Sequence, residues 1–252
     1  MIEIFILSAV QGITEFLPIS SSSHLILVSE YLDFDEKSLS IDVSLHIGSF
    51  LAVIVYFRNE IFDLFNNKKL IFKIIISTIP VMIVGFILIK FNLVDYIRNL
   101  KTIGWTTIIF GILLYLSDKC KNTKKLNKNL TYKSSLIIGL FQILSLIPGV
   151  SRSGVTITAG RFLEFERVDA AKISFLLSIP TLAAVSIFGI NSMIKSENLS
   201  FSLLSLFSIF FSFLFSLITI KYFLKYIKNF NLNIFVIYRI VLGLIILFLA
   251  YL

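Results

Sequence analysis

Two polar stretches interrupt otherwise apolar sequence, and their residue types suit phosphate chemistry. The first is Gln11-Gly12-Ile13-Thr14-Glu15-Phe16-Leu17-Pro18-Ile19-Ser20-Ser21-Ser22-Ser23-His24. The second is Pro148-Gly149-Val150-Ser151-Arg152-Ser153-Gly154-Val155-Thr156. In each, serines after a proline are placed to cap a helix. The unpaired N–H groups and positive dipole end of such a helix favour an anion. Ser20, Ser22, Ser151, Ser153 and Thr156 add hydroxyls, Gly154 lets backbone come close to a ligand, and the Arg152 fork matches phosphate oxygens. The pattern describes a phosphate or diphosphate cradle.

The remaining polar groups could do the chemistry. Glu15 is a metal ligand or general base on one reading, and on the other it only pairs with Arg152. Gln11 lies one helical turn before Glu15, so an amide oxygen and a carboxylate face one way and could bind Mg²⁺ or Ca²⁺. His24 follows Ser21 by three residues, which suggests an activated hydroxyl nucleophile or an acid for the leaving group. A water activated by Glu15 or His24 is the competing nucleophile. His46, Tyr238 and Arg239 read as scaffold.

The elements that must position these groups are membrane helices. The chain of 252 residues is 57% hydrophobic and only 15% charged, against about 25% charged in soluble domains. Its mean hydropathy is +0.93. Ionisable groups at membrane depth cost roughly 2.5–3.5 kcal/mol each on insertion scales, so Glu15, His24 and Arg152 imply use. Spans are expected at 41–57, 70–89, 102–117, 168–190, 200–220 and 233–252. Residues 2–17 and 134–147 are apolar but short, and each ends at a proline. With the segments 20–32 and 151–165 they read as two re-entrant helical hairpins.

The hairpins also resemble each other around Pro18 and Pro148, a weak internal repeat. The expected fold is therefore an all-α integral membrane protein. It has about six spanning helices plus two re-entrant hairpins in an inverted repeat. A single domain spans 1–252, with repeat halves near 1–118 and 134–252. A loop over 119–133 carries Lys119, Lys121, Lys124, Lys125, Lys128 and Lys133, and reads as cytoplasmic. The acidic loop Asp33-Phe34-Asp35-Glu36 then falls outside. Three spans separate the hairpins, so they enter from opposite leaflets and their tips meet near the midplane.

The net charge of +8 follows from these basic loops, and no nucleic-acid surface is expected. A lone cysteine, Cys120, excludes an internal disulfide and a multi-cysteine metal site. Glu3 is the only early charge, so the start does not read as a signal peptide.

These residues resemble the bacterial undecaprenyl-diphosphatase family, also called bacitracin-resistance proteins. The first family motif is matched by Gln11, Glu15, Phe16-Leu17-Pro18, Ser20, Ser21 and His24, the second by Pro148 to Thr156. Asp42-Val43-Ser44-Leu45-His46-Ile47-Gly48 and Tyr238-Arg239 match further segments. The resemblance implies removal of one phosphate from undecaprenyl diphosphate at the outer face of the bacterial inner membrane, recycling a cell-wall lipid carrier. It implies a divalent cation and a catalytic set of Glu15, Ser21, His24 and Arg152. Two departures stand out: Gln11 takes the amide option, and Ser23 stands where a glycine is common. The rival reading is a transporter or flippase for phosphate or a lipid phosphate. A second copy of the chain, in a homodimer, is a candidate partner.

Overall fold

A computed structural model describes residues 1–31, 39–66, 68–91, 93, 98–195 and 203–252. The acidic loop expected at 33–36 lies outside the described residues. The described elements are helical. They are α1 (Ile2–Thr14), α2 (Ser21–Tyr31), α3 (Leu39–Tyr56), α4 (Arg58–Asn66), α5 (Lys68–Lys90), α6 (Leu100–Asp118), α7 (Leu126–Asn129), α8 (Tyr132–Ile143), a 3₁₀ turn (Leu144–Leu146), α9 (Arg152–Phe162), α10 (Arg167–Lys195), α11 (Leu203–Asn229) and α12 (Asn233–Tyr251).

Six of these helices, α3, α5, α6, α10, α11 and α12, are long and apolar enough to cross a membrane. They fall on the six expected spans, and this is a multi-pass membrane protein. The remaining apolar helices are short. At ~1.5 Å per residue neither α1 nor α8 could reach across a ~30 Å hydrocarbon core. Helix α11 continues past its expected end at 220 through Lys221, Lys225 and Lys228 to Asn229, because long basic side chains can carry a helix beyond the lipid.

Helix packing here relies on close backbone approach, since lipid tails are as apolar as leucine. Helices α3 and α11 meet along small residues. Ser212 Oγ donates to the Leu45 carbonyl at 2.7 Å, and Ser49 Oγ lies 3.0 Å from Ser216 Oγ. Each short apolar helix packs on a spanning helix distant in sequence: α1 lies on α11, and α8 lies on α5. At the second contact, a Cβ added to Gly139 would come 2.4 Å from the Ser77 carbonyl oxygen. Gly139→Ala should therefore destabilise the protein by roughly 1–3 kcal/mol through overpacking. Thermal unfolding in detergent would read this as a melting temperature several degrees lower.

A phenylalanine cluster sits within a mostly aliphatic core. Phe175 on α10 packs edge-on against Phe16 and Phe57 and also meets the Phe223 ring, and so fixes the chain just after Glu15. Near the 119–133 loop, the Asp118 carboxylate accepts from Arg167 Nε at 2.6 Å and from the Leu232 backbone N–H at 3.1 Å. Arg161 lies 3.5 Å from the same carboxylate and donates to the Asp118, Cys120 and Phe165 carbonyls. Arg161 and Arg167 thereby lock the ends of α6, α9, α10 and α12 together.

Candidate active site

Both polar stretches form a sharp turn between a short apolar helix and a second helix. In the first, α1 ends at Thr14, earlier than the expected 17, and turns occupy residues 15–19. Ser20 then holds φ +76°, and Ser21 begins α2. In the second, the 3₁₀ turn leads to Gly149 at φ +92° and Ser151 at φ +72°, and Arg152 begins α9. Gly149 is required there, because a Cβ would sit 2.1 Å from Thr106 Oγ1. As expected, Ser151 caps its helix, its Oγ accepting from the Gly154 N–H at 3.1 Å. A left-handed non-glycine residue costs about 1–3 kcal/mol. The same strain recurs at the same step of both turns, and such strain concentrates at functional sites.

The two turns meet. Arg152 Nη2 donates to Glu15 Oε1 at 2.9 Å, joining residues 137 apart in sequence. Ser21 Oγ donates to Glu15 Oε2 at 2.8 Å. Gln11 Nε2 donates to the same oxygen at 3.1 Å and also lies 3.1 Å from His46 Nδ1. Arg152 Nη1 donates to the Ser174 carbonyl at 3.1 Å, and the guanidinium lies 6.0 Å above the Phe16 ring. Only two of its five N–H groups are used in these contacts, which leaves donors for an anion.

Glu15, Ser21, His46 and Arg152 face a cavity of about 550 Å³. Its polar end holds Glu15, Ser20, Ser21, Ser22, Ser151, Arg152 and His46. Its apolar end runs between α5 and α10, past Met82, Gly85, Phe86, Val185 and Phe188. Phe86 and Phe188 are exposed on the protein surface, so the apolar end opens sideways between two spanning helices.

Not every expected site residue faces the cavity. Ser153 Oγ donates to the Leu17 carbonyl at 2.7 Å and braces one turn against the other. Thr156 Oγ1 bonds the Arg152 carbonyl and Ser174 Oγ. Gly154 backs onto Arg239 Nη1. These three support the turns and do not line the cavity. Ser21 and His24 share a helix face as expected, but the Ser21 hydroxyl bonds Glu15 and not His24. His24 is engaged elsewhere. Its Nδ1 lies 2.6 Å from the Ser20 carbonyl, which can only accept, so Nδ1 carries the proton. Its Nε2 then accepts from the Tyr238 hydroxyl at 2.6 Å, with the two rings nearly parallel.

His46 lies nearer the paired turns than its place on a span suggested. It read as scaffold on a span, yet it lines the cavity and meets Gln11. The available signal was Asp42-His46 spacing on one helix face together with the buried polar cost of His46.

Gln11 Oε1 is buried and has no hydrogen-bond partner. An orphaned amide oxygen beside a carboxylate fits a hard divalent cation once the amide turns over. Water and substrate phosphate would complete such a shell.

Comparison with known proteins shows the family of the chain. Residues 4–245 match the family model described as bacitracin resistance protein BacA. A protein of Pelagibacter ubique named undecaprenyl-diphosphatase is 54% identical over 252 residues, covering 100% of this chain and 98% of the relative. One of the same name from Aliivibrio salmonicida is 42% identical, covering 96% and 95%. Another from a Jannaschia species is 38% identical, covering 98% of each chain.

Proposed function

The chain belongs to the bacitracin resistance protein BacA family, and from that premise we propose that it is a membrane phosphatase acting on undecaprenyl diphosphate. The products are undecaprenyl phosphate and inorganic phosphate, which returns the lipid carrier to peptidoglycan synthesis and supports resistance to bacitracin. The observation that carries this reading is the contact of Ser21 and Arg152 with one carboxylate, Glu15, at the polar end of a half-apolar cavity.

In this mechanism Arg152 and the N-terminal ends of α2 and α9 hold the diphosphate. Ser21 Oγ attacks the terminal phosphorus and passes its proton to Glu15 Oε2. The bridging P–O bond breaks, and its electrons leave with undecaprenyl phosphate. Glu15 gives that proton up to the departing phosphate oxygen. A water then attacks the phosphoserine as Glu15 takes the water's proton, and that proton passes back to Ser21 Oγ as the Oγ–P bond breaks and inorganic phosphate leaves. Gln11 and Glu15 would hold a divalent cation, Mg²⁺ or Ca²⁺, which supplies positive charge against the diphosphate oxygens when bound. His24 keeps the first turn in shape through Ser20, and a proton-handling role for it is the alternative.

The two helix pairs are best read as re-entrant hairpins of an inverted repeat, with halves near 1–118 and 134–252. The reciprocal packing of α1 on α11 and α8 on α5 supports this. With the 119–133 loop cytoplasmic, α5 and α10 run outward toward Lys90 and Lys195. The cavity follows their later halves, Val81 to Ile89 and Thr181 to Phe188, which supports a site open to the outer face of the inner membrane. The prenyl chain would leave through the seam between these two helices and stay in the bilayer.

Purified protein in detergent should release inorganic phosphate from undecaprenyl diphosphate, and excess chelator should abolish most of that release. Binding or translocation of the lipid without phosphate release would replace this reading with the transporter. Full turnover in chelator would remove the cation from the mechanism.

A further inference from the structure

Arg239, on α12, is fully buried against the two turns and does not line the cavity. Its guanidinium spends its donors on four backbone carbonyls. Nη1 donates to Pro18 at 3.2 Å and to Val150 at 3.1 Å. Nη2 donates to Gly149 at 2.9 Å, and Nε donates to Thr107 at 3.1 Å. One side chain therefore holds the first turn, the second turn and α6 at once. No carboxylate pairs with it among the described residues.

A buried, unpaired guanidinium is costly. A purely structural tie between two turns could use neutral donors, as Ser153 already does toward Leu17. The planar fork provides something else. It fixes the carbonyl of Pro18 against those of Gly149 and Val150, and hence the spacing between Glu15 and Ser21 on one turn and Arg152 on the other. Its charge also lies close behind the ends of α2 and α9. There it opposes the negative charge of an arriving diphosphate without touching it. The neighbouring Tyr238 reinforces the first turn by bonding His24.

We propose that Arg239 is the positioning residue of this site, a latch that sets the distance between the two halves of the phosphate cradle. The proposal rests on the phosphatase reading above and deepens it. A misplacement of about 1 Å can lower a rate by ~10²-fold, so loosening the latch should act on turnover more than on binding.

The test compares variants in the detergent phosphate-release assay, alongside melting temperature. Arg239→Lys keeps the charge but cannot fork across three carbonyls. It should lower kcat by ~10- to 100-fold with KM within a few-fold of wild type. Adding sub-denaturing guanidinium to Arg239→Ala should recover part of the lost kcat. If either Arg239 variant does not fold, Gly111→Ala is the milder probe. Its Cβ would lie 3.2 Å from Arg239 Cβ, so it displaces the arginine shaft without removing the charge. A several-fold drop in kcat with a near-native melting temperature supports the latch. Wild-type kcat in both Arg239→Lys and Gly111→Ala overturns it, as does a loss that tracks melting temperature alone. Wild-type protein that releases no phosphate would sink the phosphatase reading itself, which is a separate outcome.

Discussion

Replacing Ser21 with alanine is expected to lower kcat on undecaprenyl diphosphate by at least ~10⁴-fold, the scale seen when a nucleophile is removed. The side chain is small, and its one polar contact among the described residues is the 2.8 Å bond to Glu15, so the variant should fold. KM should change little, because Arg152 and the helix ends still hold the diphosphate. Steady-state phosphate release with folded, purified variant checks the prediction. A variant that keeps half of its activity assigns the attack to a water held by Glu15. The structure favours the serine, because the hydroxyl already points its proton at a carboxylate. The same hydroxyl meets Glu15, whereas both His24 nitrogens are bonded elsewhere, which supports Glu15 as the proposed base for that step.

Arg152→Ala is expected to lower turnover by at least ~10²-fold, the scale of losing one transition-state donor. It should also destabilise the protein, because removing one partner of a buried pair leaves Glu15 uncompensated, at about 3–5 kcal/mol. The double variant Glu15→Gln with Arg152→Gln separates these effects. Both charges are then gone, so the melting temperature should recover toward wild type while turnover stays low. Recovery of activity to within a few-fold in the double variant would mean that the pair only joins the turns and does not hold phosphate.

Much of the site was legible because its residues cluster locally. Glu15, Ser20 and Ser21 fall within one turn of chain, and Ser151 and Arg152 are adjacent. Glycine, proline and serine at those positions allow few backbone courses. The six spans were legible for a similar reason, since length and hydropathy over 18 or more residues depend on local composition. Residues whose role depends on distant partners were not legible. Ser153 and Thr156 look like cradle hydroxyls in sequence, yet they spend their donors on Leu17 and Ser174. His46 looks like an isolated span residue until α3 is laid beside Gln11.

The sequence by itself determined that this is a membrane protein with two serine-rich polar turns whose residue types suit a phosphate. Cap chemistry, proline stops and hydropathy are properties of neighbouring residues. Tertiary structure alone decided which hydroxyls face the cavity, that Ser21 answers to Glu15, and that Arg239 reaches both turns. Those facts depend on side-chain direction and on contacts between segments more than a hundred residues apart. Periodicity along one helix fixes which face a residue occupies, but not what lies opposite that face.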